Sequence, residues 1–200
     1  MFRRRHRALQ TRITQLETHF AIPTLSSSMR VGHLPSPAEY DAVRAYLVLS
    51  HAEVEQFFED CATLIVVKAT RHRAAGRRSR VDAFAPIAYR ERVVRDFGRV
   101  RSAIQVALEE HNQYIARKNH GIALMNIAQL FGPLGLECSI IDPTYVAALD
   151  TLRAKRGECA HSSAVSVTVQ PSPADALQAV RDVTGGFHTY LENHLLRLCR

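Results

Sequence analysis

Arg156-Gly157-Glu158-Cys159-Ala160-His161 sets an arginine and a histidine with four residues between them. A guanidinium is a permanent cation whose planar fork of donors matches phosphate oxygens. An imidazole gives or takes a proton near neutral pH. Together they suffice to cut RNA without a metal. The 2′-OH attacks the adjacent phosphate, the imidazole handles a proton, and the guanidinium holds the charge that develops. Spacing alone does not decide the matter, because a chain with 26 Lys plus Arg and 10 His contains such pairs by chance. A helix-end arginine followed by a turn histidine has the same pattern. Geometry adds a constraint: five residues along an ideal helix turn about 140°, so the two side chains do not share a face. They converge only if the helix loosens at Gly157 or if a second copy of the chain supplies half of the groove.

The elements around this motif read as helices. Asp142-Pro143-Thr144 opens a helix from Tyr145 to Lys155 that delivers the motif at its end. Arg3 to Phe20 is a basic amphipathic arm, with Leu9, Ile13, Leu16 and Phe20 at helical spacing. It either packs on the domain or a partner, or contacts phosphates through Arg3, Arg4, Arg5 and Arg7. Pro23, Ser26-Ser27-Ser28, Pro35 and Pro37 predict a linker. Ser36-Pro37 then starts a long core helix over about Ala38 to Thr70, whose apolar stripe includes Val43, Leu47, Val54, Phe58 and Ile65. His51, Glu53 and Glu55 are its polar residues. Polar residues on such a helix commonly face water.

Arg71, Arg73, Arg77, Arg78 and Arg80, with His72 among them, form a basic stretch without a carboxylate, read as a flexible loop suited to an RNA backbone. Ile87 to Ala116 is helical in two parts, with Val94, Phe97 and Val100 in its periodic pattern. Gly121 caps it, Ile122 to Phe131 is a short helix, and Gly132-Pro133-Leu134-Gly135 is a tight turn. Val165, Val167 and Val169 form an extended connection. A last helix covers Ala174 to Leu198, with a kink expected at Gly185-Gly186. The fold class is all-α, with five or more helices. Residues 1–37 are the arm and linker, and 38–200 the helical domain.

Composition bounds the partners. The chain has 200 residues, 46% of them hydrophobic, and a net charge of +7, which favours an anionic partner and nucleic acid ahead of membrane. Lys stands only at Lys68, Lys118 and Lys155, so the charge is mostly arginine. Cys61, Cys138, Cys159 and Cys199 lie far apart, without zinc or disulfide spacing, and fit a reducing cytoplasm. The apolar run Ala62 to Val67 is too short for a membrane, and the N-terminus lacks a secretory pattern. Nucleotide-binding and zinc-protease motifs are absent. No metal or cofactor is expected.

Three segments together resemble a known family. They are Ala52-Glu53-Val54-Glu55-Gln56-Phe57-Phe58 on the long helix, the Asn119-His120-Gly121-Ile122 segment through Asn126-Ile127, Leu130-Phe131 and Leu134-Gly135, and Arg156-x4-Ala160-His161. In this order they are similar to the HEPN superfamily, and most to its RiboL-PSP-HEPN branch. The resemblance implies a helical bundle that pairs as a homodimer, with Arg and His from both subunits lining one cleft. It implies a metal-independent endoribonuclease in a toxin–antitoxin or anti-phage setting, with an antitoxin or defence partner. Arg156 and His161 carry over as the catalytic pair. Glu55 matches an acidic position on the long helix that supports the site, orienting His161 or holding its charged form. Gly157 stands where many members have a polar residue, usually Asn, and Ser162 where many have Gly. Some members keep the fold as non-catalytic binding modules. A helical DNA-binding regulator is a third reading, resting on charge alone.

Overall fold

Serine, proline and an acid punctuate the helix starts. In Ser36-Pro37-Ala38-Glu39 the Glu39 N–H donates to Ser36 Oγ at 3.3 Å and the Ser36 N–H donates to Glu39 Oε2 at 2.7 Å. This reciprocal capping box satisfies two backbone donors that the first turn leaves over. Ser172-Pro173-Ala174-Asp175 repeats the pattern, with Asp175 N–H donating to Ser172 Oγ at 3.4 Å. Proline in both cases takes the first helical position, where its missing N–H costs nothing.

A computed structural model describes residues 2–28, 36–90, 93, 103–161 and 172–199, with Ser27, Ser28 and His161 described by backbone alone. The helices are α1 (Phe2–Leu16), α2 (Ile22–Ser28), α3 (Pro37–Ala74), α4 (Val81–Ala88), α5 (Ala103–Arg117), α6 (Leu124–Phe131), α7 (Pro143–His161), α8 (Pro173–Tyr190) and α9 (Glu192–Leu198). A π-helical stretch, Glu17–Ala21, joins α1 to α2, and short 3-10 turns cover Gly132–Leu134 and Cys138–Ile140. Among the described residues there is no strand, and the protein is all-α. No described helix is long and apolar enough to cross a membrane.

The chain forms two compact units. The first comprises Met1–Phe57, Gly121–Ala123 and Pro143–Phe187. Its core buries Leu9, Ile13 and Leu16 of α1, Val43, Leu47 and Val54 of α3, Leu149 and Leu152 of α7, and Val180 and Val183 of α8. The arm is thus a packed helix: its apolar stripe is buried, while Arg3, Arg4 and Arg7 are exposed. His6 stacks on Phe187 with ring centres 5.2 Å apart, and Phe187 meets Phe57 edge-on. Arg181 Nε and Nη2 donate, each at 3.0 Å, to the two oxygens of the buried Glu17 carboxylate, which keeps that charge paired. The second unit comprises Phe58–His120, Leu124–Asp142 and His188–Arg200. Its core holds Phe58, Ile65, Val81, Leu108, Ile127, Phe131, Leu134 and Leu195.

Several boundaries differ from expectation. Pro23 and Ser26 lie in α2 rather than in the linker, Pro23 being tolerated in the first turn. The long helix runs on to Ala74, so Arg71 and Arg73 sit in its last turn, where cations suit the helix dipole. Gly76, at φ +71°, then reverses the chain. The expected Ile87 to Ala116 helix begins earlier, as α4 at Val81, and its second part is α5; Val94, Phe97 and Val100 lie outside the described residues. The helix read as Tyr145 to Lys155 continues through Gly157 to His161. The kink expected at Gly185-Gly186 is absent: α8 passes through both glycines, and the break falls at Leu191, with φ −127° and ψ −36°. Buried Thr184 and Phe187 on either side hold that turn helical against the low propensity of glycine. Val165, Val167 and Val169 lie outside the described residues.

Candidate active site

His51 occupies the buried face of α3. Leu47, His51, Val54 and Phe58 recur at four, three and four residues, which is the spacing of one helical stripe. The residue is 5% exposed. One turn later, Glu55 is partly buried, and its Oε1 accepts the Gly121 N–H at 2.5 Å. Gly121 has φ +134°, a backbone conformation that side chains with a Cβ rarely adopt. The carboxylate therefore holds a turn that only glycine fits well. Its other oxygen, Oε2, lies 3.8 Å from His51 Nδ1, too far for a hydrogen bond.

Arginines of α7 act on the same histidine. Burial comes first, and the positive charges of Arg156 and then Arg153 add to it, pushing the His51 pKa down to about 4. His51 is accordingly a neutral imidazole near pH 7. The α7 turn that carries Arg156 is also tied directly to α3. Arg44 Nη2 donates to the Cys159 carbonyl at 2.7 Å, occupying an acceptor that the last turn of a helix leaves over. The Cys159 thiol between Arg156 and His161 is buried, and burial raises its pKa, so it is poorly suited to act as a thiolate.

Among the expected site residues, Arg156 is half-buried in α7 and Glu55 is partly buried on α3. His161 is the last residue of α7 and its side chain lies outside the described residues, as does Ser162. Because α7 is continuous through Gly157, the backbone positions of Arg156 and His161 lie about 140° apart around its axis. The sequence marks His51 only as one of the polar residues of the long helix, and it does not mark Arg44. The i, i+4, i+7 register of Leu47, His51 and Val54 is the signal that marks His51 as inward-facing. For Arg44 no comparable signal exists, since its partner is a backbone carbonyl 115 residues away.

The five basic-stretch arginines divide. Arg73, Arg77 and Arg78 line an open groove of about 660 Å³ with Ser79 and Asp82. Arg71 is exposed on the last turn of α3. Arg80, at the start of α4, lines a different cavity with Phe84. Among the described residues no three His, Cys, Asp or Glu are grouped to hold a metal ion.

Comparison with curated proteins and with solved structures finds no match. The family model described as RiboL-PSP-HEPN, by contrast, matches residues 7–185. That span takes in α3 with Glu55, the Gly121 turn and the whole Arg156–His161 motif. On this match over most of its length, the chain belongs to the RiboL-PSP-HEPN family.

Proposed function

We propose that the protein is a metal-independent endoribonuclease whose active site is shared between two copies of the chain, acting in a toxin–antitoxin or anti-phage system. The observation that carries this reading is the unbroken course of α7 through Gly157. An unbroken helix sets the two backbone positions about 140° apart around its axis, which supports a second copy of the chain as the way to gather both groups around one phosphodiester. The field of Arg156 at His51, and the anchoring of Glu55 on the Gly121 N–H, support α3 as the wall behind that cleft.

In this mechanism His161 deprotonates the 2′-OH or protonates the leaving 5′-oxygen, and Arg156 stabilises the pentavalent phosphorane. Glu55 orients His161 or holds its charged form. Arg71, Arg73, Arg77, Arg78 and Arg80 contact phosphates without reading bases. The products are a 2′,3′-cyclic phosphate and a 5′-OH. The test is cleavage of end-labelled single-stranded RNA in EDTA. His161→Ala should lower the rate about 10²- to 10⁴-fold, and cutting at the parent rate refutes the assignment.

Gly157, where a polar residue is usual among similar proteins, favours a second reading: a non-catalytic module that binds nucleic acid or a partner protein. Binding without cleavage by the purified parent chain would select it.

A further inference from the structure

A cavity of about 560 Å³ lies in the second unit, among residues that take no part in the Arg156 site. Its wall includes Arg80 and Phe84 of the α4 segment, Gly135 and Glu137 after α6, and His194 and Arg197 of α9. Phe84 is 46% exposed although it is a large apolar ring. The ring lies against the Gly135 turn. A Cβ built on Gly135 would meet Phe84 Cδ2 at 3.0 Å and Arg80 Cβ at 3.5 Å, so this glycine lets the aromatic and the arginine settle against the turn. Gly135 itself has φ +98°, which reserves the position for glycine on conformational grounds as well. A half-exposed aromatic ring beside guanidiniums is the arrangement on which unpaired bases stack.

Two further observations point to a ligand. Neither Arg80 nor Arg197 has a carboxylate partner among the described residues, and Glu137, the acid in the wall, accepts from Ser139 Oγ at 2.8 Å. Two guanidiniums against one carboxylate leave the cavity cationic. His194 Nδ1 is buried with no hydrogen-bond partner among the described residues, which leaves one polar atom of the wall unsatisfied. The cavity volume suits a single nucleotide.

We propose that this cavity is a nucleotide subsite, in which one base stacks on Phe84 and the adjoining phosphate is held by Arg80 and Arg197. The ligand chemistry is a nucleoside monophosphate unit, free or within single-stranded RNA. The proposal leans on the nuclease reading only for the choice of RNA as the polymer.

The experiment is isothermal titration of the full chain with AMP, with inorganic phosphate, and with a single-stranded 2′-O-methyl RNA hexamer that cannot be cleaved. The parent should bind AMP or the hexamer, and phosphate alone more weakly. Phe84→Leu keeps an apolar side chain and removes the ring; it should weaken binding about five- to 150-fold. Phe84→Tyr keeps the ring and should bind as the parent does. Arg80→Gln with Arg197→Gln should weaken both ligands. Ring-dependent binding of AMP and hexamer alike indicates a site open to free nucleotide; ring-dependent binding of the hexamer only indicates an RNA subsite. Binding that Phe84→Leu leaves unchanged, or phosphate bound as tightly as AMP, overturns the proposal. Cleavage of unmodified RNA is read in parallel. Cleavage without ring-dependent binding sinks the subsite alone, and ring-dependent binding without cleavage sinks the nuclease alone.

Discussion

His51 Nδ1 and Glu55 Oε2 stand 3.8 Å apart, one turn along α3, and the pair joins a neutral imidazole to a carboxylate rather than two ions. The carboxylate alone would favour the imidazolium. Burial, with Arg156 and Arg153 behind it, wins and holds the histidine neutral. The carboxylate is left to serve the Gly121 N–H.

This pairing predicts an acid sensitivity. His111 behaves like His51: it is fully buried, and burial pushes its pKa down to about 4 against the opposing bond to the Leu130 carbonyl. That carbonyl can only accept, so His111 Nε2 carries the hydrogen and Nδ1 accepts from Tyr89 O–H at 2.7 Å. Unfolded histidine takes up its proton near pH 6.5, while these two do so only near 4 in the folded chain. The unfolded chain thus binds more protons across that interval. Stability falls as pH drops from about 6.5 toward 4, by on the order of 2–3 kcal/mol per histidine, and the loss levels off below. Histidine ring-proton NMR should show two imidazoles still neutral at about pH 5, and urea midpoints should fall over the same interval. Two ordinary titrations near pH 6.5 would refute both statements.

Glu55 should matter to folding as well as to activity. Glu55→Ala leaves the Gly121 N–H without its acceptor and should cost about 1–3 kcal/mol. Glu55→Gln keeps an acceptor oxygen and should cost less. Gly121→Ala should destabilise independently, because an alanine at φ +134° is strained. Urea denaturation of the three variants checks this, and equal losses for Glu55→Ala and Glu55→Gln would show that the bond to Gly121 contributes little.

A shared cleft makes a prediction that a self-contained one does not. If two copies share the cleft, the Arg156→Ala and His161→Ala variants should each be slower than the parent by about 10²-fold or more. A mixed dimer of the two variants retains one guanidinium and one imidazole on different chains. Refolding the variants together should therefore recover part of the activity that neither has alone. If the mixture cuts no faster than the separate variants, the two groups do not cooperate across copies.

Much of this arrangement is legible in the amino-acid sequence. The apolar stripes of α1 and α3, the Ser-Pro starts at Ser36 and Ser172, and the glycine turn at Gly135 each rest on local chemistry, and each appears where that chemistry puts it; Gly121, read as a helix cap, instead stands four residues past the end of α5 at Arg117, in a positive-φ turn before α6. What escaped was decided by contacts distant in sequence. A glycine costs a helix roughly 1 kcal/mol, so Gly157 and the Gly185-Gly186 pair read locally as weak points. The α7 turn instead gains the Arg44 bond to the Cys159 carbonyl, and α8 gains buried Thr184 and Phe187. By residue type His51 reads as polar, and only its register with Leu47 and Val54 places it in the buried stripe.

Gly157 offers the last and most discriminating prediction. It lies inside α7, and a Cβ added there would meet nothing within 4 Å among the described residues. Packing among the described residues therefore gives no reason for glycine, and alanine should stabilise the isolated helix by about 0.5–1 kcal/mol. That corresponds to a rise of roughly 2–4 °C per kcal/mol in the unfolding midpoint of a chain this long. A missing side chain next to Arg156 has a use only if another backbone comes close. If a second copy does so, Gly157→Ala should raise the thermal midpoint at low protein concentration while weakening self-association in sedimentation and slowing cleavage. The opposite signs on stability and association are the expected signature. A Gly157→Ala chain that is more stable and associates and cuts as the parent does would place Gly157 against solvent and remove the close approach of the second copy.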